Sequence, residues 1–243
     1  MFLTKGAYST AKLSIQNVLN KAFFMTDKLH AHIYQMLCNI GETSDYTKGL
    51  NDGLALLKLY GFDIPKDISK AYMTKEEMKM KMALKGRSYS CLTKLSVNDE
   101  SAGIGRLFSE VQVYAMYNGH EKHVQILAWR AIQHAIKSRI HSHRLPSIVV
   151  LLASSMARQG KVKTAQELGN VSLALCDKIR GDMEICALTR MLAYHTVLLQ
   201  LQSFRSSLDT LLQCHKDMKL VGGMTEAMFG SMVREFVFFH YLF

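Results

Sequence analysis

The 243-residue sequence predicts an all-α fold, an α-solenoid of stacked antiparallel helix pairs. Three observations lead there. Apolar residues recur at three- and four-residue spacing nearly everywhere, and no extended segment shows the strict alternation of a half-buried strand. Only two prolines interrupt a chain in which Leu, Ala, Met, Lys and Gln recur, side chains that lose little rotamer freedom on a helix. Small residues and glycines recur within pairs of helical segments joined by short turns, where neighbouring helices must cross closely.

The periodicity predicts helices at 9–24, 28–41, 46–60, 68–84, 101–118, 121–142, 146–159, 161–179, 182–202, 204–219 and 223–241, about five to six pairs. Thr74 and Glu77 have the spacing of a capping box, and Gly41, Gly61, Gly86, Gly119 and Gly160 stand where helices should stop. Pro146 suits the first turn of a helix, where its missing N–H has no partner to lose. Asp63 to Ile68 and Arg87 to Glu100 are the least helical stretches. The second is the expected long mobile loop, and a subdomain boundary within the otherwise single 1–243 domain is expected in 87–100.

Hydrophobic residues make up 49% of the chain, enough to bury a core, and thirty Lys and Arg against twenty Asp and Glu give a net charge of +10. That excess favours acidic or anionic partners without choosing among them. Cys38, Cys91, Cys176, Cys186 and Cys214 are odd in number and lack CxxC or Cys/His metal spacing, so they read as reduced core thiols. The opening MFLTKGAYSTAKLS has no apolar signal region, and no stretch reaches the length of a membrane-spanning helix. A cytoplasmic location is the expectation.

The most informative stretch is Leu145 to Ile179, LPSIVVLLASSMARQGKVKTAQELGNVSLALCDKI. Val149, Leu152, Ala153 and Met156 form the inner face of its first helix, and Gly160 closes that helix. Ala165, Gly169 and Ser172 supply small residues where the second helix approaches the first. The stretch resembles one tetratricopeptide repeat over its whole length. A looser copy covers Leu29 to Tyr60, with Gly49 and Gly53 on its second helix, and another covers Arg190 to Leu220, with Ser207, Leu211 and Cys214. Tyr8, Ala11, Ile15 and Val18 look like the second half of a repeat whose first helix is missing. The copies are spaced more widely than the roughly 34-residue period of regular arrays, so they are degenerate.

Three stretches carry a broader resemblance: GLNDGLALLKLYGFDIP (Gly49 to Pro65), KMKMALKGRSYSCLTKL (Lys79 to Leu95), and GKVKTAQELGNVSLALCDKI (Gly160 to Ile179) with LQSFRSSLDTLLQCHKDM (Leu201 to Met218). Their order resembles the degenerate tetratricopeptide region of large multidomain signalling ATPases, in which an ATPase module precedes the repeats and a sensor-kinase or cyclase module follows. The resemblance implies a fragment or shortened relative of that architecture, working in protein interaction or signal coupling. The chain has no GxxxxGK[ST] phosphate loop, so the implied ATPase activity does not carry over.

Chemical motifs are weak. His120, Glu121 and His123 spell H-E-x-H, one residue short of the spacing that puts two imidazoles on one helix face for zinc. Gly103 and Gly105 begin a dinucleotide fingerprint, but Phe108 stands where the third glycine should be. No paired carboxylates or nucleophile motif can be placed, so a noncatalytic chain without cofactor or metal is expected. The expected function is a scaffold whose concave groove holds a protein or peptide partner.

The alternative is a nucleic-acid or anionic surface binder acting through the basic 120–144 segment, with Lys122, Arg130, Lys137, Arg139 and Arg144 as contacts. Trp129 is its only Phe, Tyr or Trp, too little for base stacking, and a buried tryptophan is the simpler reading. Nucleic acid is therefore the less favoured partner. Met73, Met78, Met80 and Met82 read as core residues or a pliable docking face.

The C-terminal MFGSMVREFVFFHYLF, Met228 to Phe243, carries apolar side chains on nearly every side of a helix, where an array would need a polar cap. Phe229, Phe236, Phe239 and Tyr241 form the candidate interface, and the array reads as uncapped at this end. Apolar patches beyond a few hundred Å² usually mark an interface. The isolated chain should therefore self-associate at micromolar concentration, and Phe236→Lys with Phe239→Lys should restore a monomer. Light scattering that finds a monodisperse monomer of the unchanged sequence would refute this.

Overall fold

A computed structural model of the chain describes residues 5–98, 102–179, 183–197 and 204–220. The described chain is mostly helical. In order it forms α1 (Lys5–Lys21), α2 (Met25–Thr43), α3 (Tyr46–Leu59), α4 (Lys70–Leu84), a 3₁₀ turn (Tyr89–Lys94), α5 (Ala102–Tyr117), α6 (Glu121–Ser138), α7 (Leu145–Arg158), α8 (Val162–Cys176), α9 (Met183–Leu192), a π-helical turn (Ala193–Val197) and α10 (Phe204–Leu220). Two two-residue strands, β1 (Ser96–Val97) and β2 (Ile140–His141), interrupt the helices. The expected helix 223–241 lies outside the described residues. No described helix is long and apolar enough to cross a membrane.

The chain divides into two compact units, Met1–Ala83 with Asn98–Ser142, and Leu84–Val97 with His143–Phe243. In the first, α1 packs on α2, α2 on α3 and α5, α3 on α5, and α5 on α6. Its core holds Ile33, Leu57, Leu107, Phe108, Val111 and Leu127, all essentially without exposure, and Phe62 meets Phe108 edge-on at 4.9 Å between ring centroids. Trp129 is buried among them at 3% exposure, so it does not offer a base a stacking face.

The second unit is built around α7, on which α8, α9 and the π-helical turn pack. Leu145 to Met156 are buried on every side of this helix. Its serines are therefore in apolar surroundings, and Ser154 solves this by donating to the Val150 carbonyl at 3.0 Å. α9 in turn packs on α10.

Helix ends follow local chemistry. Asp45 caps α3 by accepting from the Lys48 N–H at 2.9 Å. α7 ends at Gly160, φ +72°, whose N–H donates to the Ala157 carbonyl at 2.9 Å while Lys161 N–H reaches back to Met156 at 3.0 Å. That pair of bonds needs a left-handed residue, which glycine adopts without a Cβ clash. The same pattern closes α3 at Gly61 and α5 at Gly119. Pro146 sits in the first turn of α7 as expected.

Other expectations are corrected. α2 does not stop at Gly41 but runs to Thr43, with Ser44 taking the left-handed position at φ 53°. Gly41 instead admits Tyr8, whose Oη would lie 2.6 Å from an added Cβ. Thr74 is no cap: it lies inside α4 and its hydroxyl donates to the Lys70 carbonyl, while Ser69 Oγ accepts from the Tyr72 N–H at 3.1 Å as the true cap. α6 ends at Ser138 rather than 142 because Ser138 Oγ donates back to His134 O at 2.8 Å and Arg139 turns left-handed at φ 59°. The 182–202 helix gives way at Ala193 to the π-helical turn. The 87–98 stretch is not an open loop, since Leu92 is fully buried and Tyr89 N–H donates to Glu167 Oε1 at 2.6 Å.

The tightest crossing in the first unit is α3 against α5. Gly53 faces Val111 so closely that a Cβ would overlap the valine methyls, and a Cβ on Gly49 would lie 2.6 Å from Ile40 Cδ1 and 3.2 Å from Tyr114. Gly53→Ala should therefore destabilise the protein by about 1–3 kcal/mol through overpacking, although alanine favours a helix over glycine by about 1 kcal/mol. Val111→Ala added to it should relieve the overlap, so chemical denaturation of the double variant should reveal a coupling term opposite in sign to the clash. Simple additivity would contradict the crossing.

Candidate functional site

Of the residues expected to pack helix pairs, the described ones are buried in a helix or close a turn, and Gly53 packs on α5 instead of on the first helix of its own pair. Gly49 and Gly53 lie on α3 as just described, Ala153 is fully buried on α7, and Gly160 ends that helix. On α8, Ala165 is 1% exposed and Gly169 is buried, while the Ser172 hydroxyl, fully buried, donates to the Gly169 carbonyl at 2.7 Å. Cys214 is buried on α10, and burial pushes its thiol up to about 11. Ser207 belongs to α10, but its side chain is outside the described residues. Phe229, Phe236, Phe239 and Tyr241 are outside them altogether.

The basic segment is divided. Arg130 grips the buried Glu76 of α4 with two nitrogens, Nε at 2.8 Å from Oε2 and Nη2 donating to Oε1 at 3.0 Å, and also reaches the Tyr72 hydroxyl at 3.3 Å. Lys79 meets the same carboxylate at 2.8 Å. Lys122 donates to the Ile68 carbonyl at 2.9 Å. Both residues are thus committed to holding α4 and the segment before it against α6. Lys137 and Arg139 are exposed, and Arg144 is half-buried in the other unit.

The histidines near this segment are placed by packing. His123 is buried with Nε2 3.2 Å from the Pro65 carbonyl oxygen, His134 stacks edge-on to Phe62 at 5.5 Å, and burial lowers both pKa values. Met80 is buried, whereas Met78 and Met82 are exposed, so the methionines split between core and surface. Among the described residues no three His, Cys, Asp or Glu side chains converge as metal ligands would.

The sequence reading missed a groove of about 280 Å³ between α2 and α3. His32, Gln35, Met36 and Asn39 face it from α2, and Asp52, Ala55, Leu56 and Leu59 from α3, each set at i, i+3, i+4 and i+7. One side of each helix therefore lines it over two turns. Its lining mixes the two: Met36 is buried, Leu59 is 65% exposed, and His32, Gln35, Asn39 and Asp52 are half-buried. His32 Nδ1 lies 3.3 Å from the Tyr60 hydroxyl, and burial, then the Lys28 charge, lowers its pKa. The Gln35 and Asn39 carboxamides can each donate and accept, the capacity an exposed peptide backbone needs. The polar positions at 32, 35 and 39 on a helix otherwise patterned for burial were the available signal.

Comparison with known protein families, with curated proteins and with solved structures finds no match to this chain.

The Glu76 contact separates structural from surface arginine and lysine. Arg130→Ala leaves a buried carboxylate with one partner fewer and should cost about 3 kcal/mol, whereas Lys137→Ala and Arg139→Ala should stay within about 0.5 kcal/mol of the parent. Urea denaturation midpoints test this, and an unshifted midpoint for Arg130→Ala would show that the pair does not hold α4.

Proposed function

We propose that the chain is a noncatalytic, tetratricopeptide-like scaffold for protein interaction, each unit a short run of degenerate helix pairs. The observation that carries this reading is the α2–α3 groove, whose lining of aliphatic side chains and two carboxamides suits a peptide or a helical segment of another protein. The small-residue crossings support it. Gly49 and Gly53 on α3, and Ala165, Gly169 and Ser172 on α8, occupy the second helix of two separate pairs, as repeated units require. The reading also extends to the resemblance in sequence order: the chain would serve as the coupling region of a larger signalling ATPase, or as a shortened relative of one.

The groove is favoured over an anionic surface because Lys122 and Arg130 have internal partners, leaving fewer free cations on α6 than its sequence suggests. Site-specific photo-crosslinking tests the proposal. A crosslinking residue at Gln35 or Asn39 should capture one defined protein that Lys137 does not, and Leu59→Glu should reduce capture by about tenfold, the effect of roughly 1.4 kcal/mol, with the helical circular dichroism unchanged. Equal capture from all three positions, or indifference to Leu59→Glu, would reject the groove.

A further inference from the structure

A second pocket, of about 310 Å³, opens in the second unit and is lined by Cys176, Asp177, Met183, Cys186, Arg190 and Asp217. Cys176 is the last residue of α8, and Cys186 lies on the first turns of α9. The Cys186 thiol donates to the Cys176 carbonyl at 3.6 Å, and both residues pack with Ile179 in one apolar cluster. All five cysteines of the chain are thiols.

Arg190 stands one turn beyond Cys186 on the same face of α9 and forms an ion pair with Asp177 at 3.2 Å. Arg190 lines the same pocket as both cysteines. The hydrogen bond with Cys186, and then burial, holds the Cys176 thiol well above its ordinary pKa. Cys186 is the more exposed of the two, at 8% against 1%, and shares a face of α9 with Arg190, so it is the thiol a solute in the pocket meets first. A cation beside a thiol and access from solvent are what make a cysteine reactive, and a second thiol in contact is what resolves its oxidised form.

We propose that Cys176 and Cys186 are a site of reversible oxidation, closed to a disulfide by a small hydroperoxide entering this pocket, with Cys186 attacking and Cys176 resolving. The Cys186 thiolate attacks one peroxide oxygen and the O–O bond breaks. With hydrogen peroxide and one proton from solvent, this leaves Cys186 sulfenic acid and water. The Cys176 thiol then displaces the hydroxyl, forming the S–S bond and releasing a second water. Two thiols lose two electrons, and the peroxide gains them. The bridge ties the C-terminus of α8 to α9, two helices that both pack on α7.

Peptide mapping of the full chain tests this without any substitution. After limited hydrogen peroxide, trypsin under non-reducing conditions should yield Thr164–Lys178 joined to Gly181–Arg190, and dithiothreitol should release them. In Cys176→Ser, dimedone should trap a sulfenic acid on Cys186. Arg190→Gln should slow bridging about fivefold or more, as loss of a neighbouring cation lowers the thiolate fraction. The proposal is overturned if the half-buried Cys91 oxidises while no Cys176–Cys186 bridge forms. It is equally overturned if Cys176 in Cys186→Ser is trapped as fast as Cys186 in Cys176→Ser.

Discussion

Between α3 and α5 there is no room for a side chain at Gly53 and almost none at Gly49, and Val111, Tyr114 and Ile40 fill the space that Cβ atoms would need. This close approach brings α3 against both α2 and α5, so three helices that are not all adjacent in sequence share one core. The consequences spread outward. With α3 held in place, an adjoining face of it meets α2 along His32, Gln35 and Asn39 and leaves the groove open there. Dispersion between closely fitted atoms is small per contact but sums over the whole crossing, which is why one methyl group too many matters.

Charge is used differently in the core and at the surface. Glu76 is fully buried, and such a carboxylate is tolerated only because Arg130 and Lys79 surround it. The arginine that makes the 120–144 segment look basic is thereby an internal fastener. α4 depends on this contact and on Lys122 binding the Ile68 carbonyl, since its own hydrophobic stripe is weak and leaves Met78 and Met82 exposed. A net positive charge is thus a poor guide to which cations can reach a partner.

The two pockets differ in the chemistry they offer. The α2–α3 groove presents two carboxamides, an imidazole and the Asp52 carboxylate among aliphatic side chains, suited to a ligand that arrives with its own backbone hydrogen-bonding groups. The pocket beside α9 presents sulfur, a guanidinium and carboxylates, suited to a small reactive molecule more than to a chain. Each lies within one unit.

The sequence by itself determined the helical class, the turns closed by Gly61, Gly119 and Gly160, the entry of α7 at Pro146 and the burial of Trp129. These depend on periodicity, backbone freedom and local propensity, which a few consecutive residues specify. Tertiary structure alone decided the rest. Gly41 reads locally as a stop, yet a neighbouring helix makes it a contact for Tyr8; Thr74 reads as a cap, yet the chain begins α4 a turn earlier at Ser69. Arg130 meets Glu76 across a sequence separation of 54, and Cys186 meets Cys176 because α9 returns beside the end of α8. Polar positions on α2 hinted at the groove, yet neither it nor the thiol pair could be placed, because a site is a set of side chains brought together by packing, and spacing along the chain does not reveal which faces will meet.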